Sequence, residues 1–190
     1  EIQSKIADLS RAAEEQLTSC EQLRAEAAKN RSKSQDAPNR AAEKKAGLEQ
    51  LENPVEQVLP TDLATLEQRL TEANLELEQL KSEQQNLAEL PATRATRRKE
   101  IRSRLLVLPD EIDELGQQLE SAPPNGEPPA LSLARQTEFE ARHMRLQAEI
   151  PAGQQELARF DAEEAVDLVR LRRDEVAHRI ANRETELERL

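Results

Sequence analysis

Between Leu63 and Leu119 apolar residues recur alternately every three and four positions: Leu63, Leu66, Leu70, Ala73, Leu77, Leu80, Gln84 and Leu87, then Ile101, Leu105, Leu108, Ile112, Leu115 and Leu119. A mean spacing of 3.5 residues draws a narrow stripe along one side of an α-helix, and only another helix can dry such a stripe. The pattern predicts a coiled coil or slender bundle. A helix carrying the whole seam would be about 85 Å long at ~1.5 Å per residue.

The same spacing runs through Ile2, Ile6, Leu9, Ala13, Cys20, Leu23 and Ala27, and predicts an N-terminal helical arm over 1–53. Asn30 to Pro38 reads as a break in it, with Asp36 a natural cap before Pro38. A short second helix follows through Ala42, Leu48 and Leu51. The prolines of Asn53-Pro54 and Leu59-Pro60 mark a linker over 54–60, after which Thr61 or Asp62 can cap the long heptad helix of 61–120. Pro91 leaves two readings open, one helix with a kinked waist or two helices joined by a turn. Pro109 lies inside a good seam and predicts a kink.

Four Pro and one Gly between Ser121 and Pro129 predict a turn over 121–131, with the flanking helices folded back antiparallel. Ser132 is placed to cap the returning helix. Two further seams occupy 132–190. The first reads Phe139, His143, Leu146, Ile150, Gly153, Leu157 and Phe160; the second reads Val166, Val169, Arg173, Val176, Ile180, Arg183, Leu187 and Leu190. They are out of phase by two residues, about 200° of helix rotation, which predicts a reversal or sharp break near 161–165. The fold class expected is therefore all-α: elongated antiparallel helical hairpins in a coiled-coil bundle, with no β-sheet.

Composition narrows the functions this fold can serve. Hydrophobic residues make up 36% of the 190, there are two Phe and no Trp or Tyr, and so a wide core is out of reach. A net charge of −11 argues against nucleic acid and anionic lipid as partners. No window approaches the ~20 apolar residues of a membrane span. The chain starts at Glu1, which fits an excised or processed piece whose signal peptide or membrane segments lie elsewhere.

Few residues offer chemistry. Glu140 with His143, and Glu175 with His178, repeat the Glu-x-x-His spacing by which ferritin-like bundles hold two metal ions, and a reversal near residue 160 would bring them level. The seams oppose that use, since His143 takes a core position while His178 points away from the apolar face. Cys20 lies in a seam, where a thiol packs as a small apolar group. Arg94, Arg97, Arg98, Lys99, Arg102 and Arg104 form the one basic cluster able to grip an anion, and pairing with the abundant glutamates accounts for it more simply. Paired acids such as Glu163 and Glu164 are ordinary in a glutamate-rich helix. No nucleophile set, phosphate loop or zinc spacing is present, so no catalytic, cofactor-binding or metal residue is assigned, no cofactor is expected, and the chain does not read as an enzyme.

Several stretches taken in order resemble a known family. They are Asp36-Ala37-Pro38 before an Ala/Glu-rich helix, Leu66-Glu67-Gln68-Arg69-Leu70, Pro91-Ala92-Thr93-Arg94-Ala95, Ala122-Pro123-Pro124-Asn125-Gly126, and Leu168-Val169-Arg170-Leu171-Arg172-Arg173-Asp174. Together they resemble the periplasmic helical "porin" domain of large mechanosensitive channels of the small-conductance family, including the potassium-dependent type. The resemblance implies a non-catalytic extramembrane module, periplasmic, that spaces, assembles or adjusts gating. Its implied partners are other helices of the same channel, further copies joined through the membrane domain, and an envelope component. The competing reading is a soluble structural coiled coil, a scaffold or the arm of a larger protein.

Overall fold

The structure, a computed structural model, describes residues 1–52 and 62–190. Among these it has five helices and no strand: α1 (Ile2–Gln35), α2 (Ala37–Glu52), α3 (Leu63–Glu120), α4 (Pro129–Ala165) and α5 (Leu168–Arg189). The linker expected over 54–60 and the capping role of Thr61 lie outside the described residues. The chain divides into two compact units, residues 1–34 with 97–159, and residues 35–96 with 160–190.

Local chemistry sets the helix ends. Asp62 caps α3, its Oδ1 accepting the Thr65 backbone N–H at 3.0 Å. Hydrogen bonds from Thr65 hold the Asp62 carboxyl below the ordinary aspartate value. α1 runs on to Gln35, so the break expected over Asn30 to Pro38 shrinks to the single residue Asp36. No Gly or Pro interrupts α1, and the Ser34 hydroxyl bonds the Ala158 carbonyl, which secures the last turn. The turn after α3 ends sooner than expected. α4 starts at Pro129, three residues before Ser132, because proline suits a first helical turn whose N–H is unused anyway. Within that turn the Glu127 N–H bonds the Pro124 carbonyl at 3.1 Å and Gly126 has φ 82°, the left-handed conformation that a type II turn needs at this position. α3 passes Pro91 and Pro109 unbroken, which decides between the two readings of Pro91 in favour of one helix. Both prolines are exposed.

In the first unit α3 and α4 are antiparallel. Arg97 pairs with Glu156 and Arg104 with Glu149, seven residues on along one helix and seven back along the other. Between them Leu108, Leu115 and Leu146 form a dry core, flanked by Leu105, Ile112, Phe139 and Ile150. α1 instead lies parallel to α4, since Cys20 Sγ meets the Met144 carbonyl and Ser34 meets Ala158, fourteen residues on in both helices. α4 therefore needs a second inward stripe on the side roughly opposite its Leu146 face. Ala134, Ala141 and Ala148 supply one, buried and in heptad spacing.

Gly153 marks a close approach of α4 to α3. A Cβ built there would lie 3.1 Å from Ile101 Cγ2 and 3.4 Å from Leu105 Cδ2. Gly153→Leu is expected to cost about 1–3 kcal/mol through overpacking. Gly153→Ala should be close to neutral, because a helix-propensity gain of about 1 kcal/mol offsets the squeeze. Urea unfolding midpoints followed by circular dichroism distinguish the two.

The second unit repeats the arrangement. Glu76 pairs with Arg179 and Glu83 with Arg172, again seven on and seven back, so α3 and α5 are antiparallel. Lys44 pairs with Glu175 and the Asn182 amide bonds the Leu51 carbonyl, so α2 and α5 are parallel. α5 buries Val176 and Ile180 against Leu80 and Leu87 of α3, and Leu168 and Leu171 against Ala41 and Leu48 of α2. Several seam assignments change here, beginning with Leu63 and Leu70, which are 71% and 43% exposed. Arg173 is exposed, Ala41 takes the buried place expected of Ala42, and Glu83 sits further in than Gln84.

Of the reversal or sharp break expected near 161–165, the reversal does not occur, and a break falls just beyond, at Val166 and Asp167. α4 continues to Ala165, and contacts of Glu163 with Arg94, Arg172 with Glu83, and Arg179 with Glu76 progress in one direction along α3. Two residues outside the helices, Val166 and Asp167, separate α4 from α5, and Asp167 is left-handed with φ 53°. They absorb the two-residue slip between the seams, so the apolar face is rephased while the direction is kept.

Candidate functional site

Phe160 and Glu163 lie one helical turn apart near the end of α4, on the face that meets α3. Arg94, which with Pro91 and Arg98 carries the alternating three- and four-residue spacing of the α3 seam from Leu87 to Ile101, comes opposite them. Glu163 is 5% exposed, the one buried charged residue among those described. Its Oε2 accepts from Arg94 Nη2, and its Oε1 accepts from Arg40 Nη2 of α2 at 2.9 Å. The Arg94 guanidinium carbon sits 5.2 Å from the Phe160 ring centroid, within cation–π range. Arg40 also faces Asp36, Nε to Oδ2 at 3.8 Å, and Asp36 accepts from the Asn39 amide at 3.1 Å. Burial alone would raise the Glu163 carboxyl, but the Arg40 hydrogen bond and the Arg94 charge outweigh it and hold it below the ordinary glutamate value. A carboxylate fixed in its ionised form between two guanidinium groups is a poor proton donor or acceptor. It joins three helices at one level.

The rest of the basic cluster divides by helix face. Arg97 forks onto Glu156, Nε to Oε1 at 3.1 Å and Nη2 to Oε2 at 3.0 Å. Arg104 grips Glu111 through both Nη atoms at 2.6 and 2.8 Å and Glu149 through Nε at 2.8 Å. Hydrogen bonds donated to Glu111 and then Glu149 raise the Arg104 guanidinium above its ordinary value. A groove of about 290 Å³ in the first unit is lined by Arg97, Arg104 and Arg145, and each of these is committed to a glutamate. Such a wall has little charge to spare for a ligand.

A chain of helices locked by interhelical ion pairs, with the buried Glu163 used as a clamp, matches one family model, that of the mechanosensitive ion channel porin domain, over residues 1–190. The chain belongs to that family. Comparison with curated proteins and with solved structures returned no match in either case. The porin domain is a channel domain and not a member of an enzyme family. No described helix of it is long and apolar enough to cross a membrane.

The porin domain puts the residues singled out by sequence in separate places. Glu140 accepts from the Gln136 amide at 3.0 Å, and Glu175 is bound by Lys44 at 2.7 Å. Without a reversal after α4, the premise that brought the two Glu-x-x-His motifs level is gone. Among the described residues no group of three or more His, Cys, Asp or Glu is placed to hold a metal ion. Cys20 is 2% exposed and packed between α1 and α4. Glu163, in the sequence one acid among many, is the residue the helices converge on. A usable signal is present: Arg94 occupies a seam position of α3, and a charged seam residue calls for an opposite charge on the facing seam.

Proposed function

We propose that this domain is the periplasmic extension of a mechanosensitive channel, acting mechanically to space, assemble or adjust the gating of a pore formed elsewhere in the protein. The observation that carries this reading is the family match along all 190 residues. The side-chain inventory supports it. Among the described residues the buried groups are aliphatic side chains, Cys20, Phe160 and one clamped carboxylate, and their arrangement serves rigidity and register instead of bond making.

Removal of residues 1–190 from the channel, followed by patch recording under applied suction, tests the role. The pore should still conduct, while the pressure threshold or the amount of assembled channel shifts. An unchanged threshold together with unchanged assembly would refute it. Placement is read separately, from a membrane-impermeant maleimide on Leu75→Cys, an exposed α3 position, in a Cys20→Ser channel. Labelling from the periplasmic side is expected, and labelling only from the cytoplasmic side contradicts the assignment.

A further inference from the structure

Leu106 is 78% exposed, the most exposed large apolar side chain among the described residues, and Val107 beside it is 46% exposed. Both sit on α3 in the first unit, whose core is made by Ile101, Leu105, Leu108 and Ile112 on the opposite side of the helix. At ~100° per residue, Lys99, Arg102, Leu106, Asp110 and Asp113 fall on one outward stripe. All five are exposed, and none of the four charged ones makes an ion pair among the described residues.

The stripe has an unusual symmetry. Its steps are three, four, four and three residues, with two cations before Leu106 and two anions after it. When a second copy of α3 is laid antiparallel with Leu106 against Leu106, Lys99 comes level with Asp113 of the second copy and Arg102 with its Asp110. The two reciprocal pairs form as well. Each charge meets its opposite, and the apolar pair lies on the two-fold axis.

We propose that this stripe is a self-complementary docking surface for a second copy of this chain, joined by an antiparallel α3–α3 contact centred on Leu106. The two-fold form makes the contact isologous, so one partner saturates it. A single helix stripe is smaller than the ~1,200 Å² of a stable interface, so the pair is weak in dilute solution and strengthened where copies are held near one another. Opposite charges at four places set the register and make the contact salt-sensitive.

Sedimentation equilibrium of the 190-residue chain at low salt tests it, at concentrations up to about a millimolar, the range in which contacts of a few kcal/mol register. Monomer–dimer association that weakens with added salt is expected. Asp110→Lys with Asp113→Lys, or Lys99→Asp with Arg102→Asp, should each weaken it at least about ten-fold, and mixing the two reversed chains should restore pairing. Circular dichroism checks that each variant stays helical. In a Cys20→Ser background, mild oxidation should cross-link Leu106→Cys to itself and leave Gln117→Cys monomeric. A chain monomeric at every concentration, association indifferent to both reversals, or equal cross-linking at 106 and 117 overturns the proposal.

Discussion

Glu163→Gln is expected to cost the domain about 3 kcal/mol, the low end of the range for removing one partner of a buried ion pair. The amide can still accept a hydrogen bond, but it takes the opposite charge away from Arg94, whose side chain is only 19% exposed, while Arg40 keeps Asp36 at 3.8 Å. Arg40 is 31% exposed, and its partial access to water keeps the loss from being larger. The triple change Arg40→Met, Arg94→Met and Glu163→Leu should recover most of the loss, since apolar packing removes the desolvation cost along with the attraction. Urea unfolding monitored by helicity measures all three chains. If the glutamine variant matched the parent, the cluster would be a bystander.

Acid gives the same variant a second readout. Glu163 is held below the ordinary glutamate value of 4.5, so the folded chain binds its proton less readily than the unfolded one. Its contribution is complete above pH 4.5 and is lost as pH falls through the lowered folded value. Besides Asp62, two further carboxyls add to the same trend. Glu111 is lowered by its Arg104 hydrogen bond, while at Glu76 a raising effect of burial is outweighed by Arg179 and Arg183. Below pH 4.5 the parent should lose stability more steeply than Glu163→Gln.

Leu108→Ala is expected to cost about 2–5 kcal/mol by opening a cavity between α3 and α4. Leu108 is 1% exposed and touches a cluster with Leu115 and Leu146, where helices crossing in both directions leave little freedom to collapse. Since single domains are stable by only about 5–15 kcal/mol, this one truncation should shift the urea midpoint visibly. Leu106→Ala, two residues away and on the outer side, should move it by less than about 0.5 kcal/mol. Equal effects at the two positions would mean that the buried stripe runs along a different side of α3.

The buried side of α3 is legible in sequence because leucine repeated in heptad spacing almost always marks a seam dried by a neighbouring helix. Leu80, Leu87, Ile101, Leu108 and Leu115 all read as seam and all lie buried. The inward stripes built from alanine are not legible. Ala134, Ala141 and Ala148 are as well spaced as the leucines, but alanine is also the strongest helix former on exposed faces, so its burial leaves no mark in composition. The turn at 166–167 misleads for a related reason. A two-residue phase slip reports that the apolar face must rotate, and says nothing about whether the chain also changes direction. Glu163 is hidden by the abundance of glutamate, and only the position of Arg94 sets this one apart.

The direction of the helices has a mechanical consequence. In the second unit the chain enters along α2 and leaves along α5, two rods pointing the same way with α3 returning beside α5, so entry and exit lie at opposite ends. Tension between those ends pulls the rods lengthwise past one another. The leucine contacts and Arg–Glu links between them are then loaded together in shear, whereas a hairpin pulled by its open end would unzip one contact at a time.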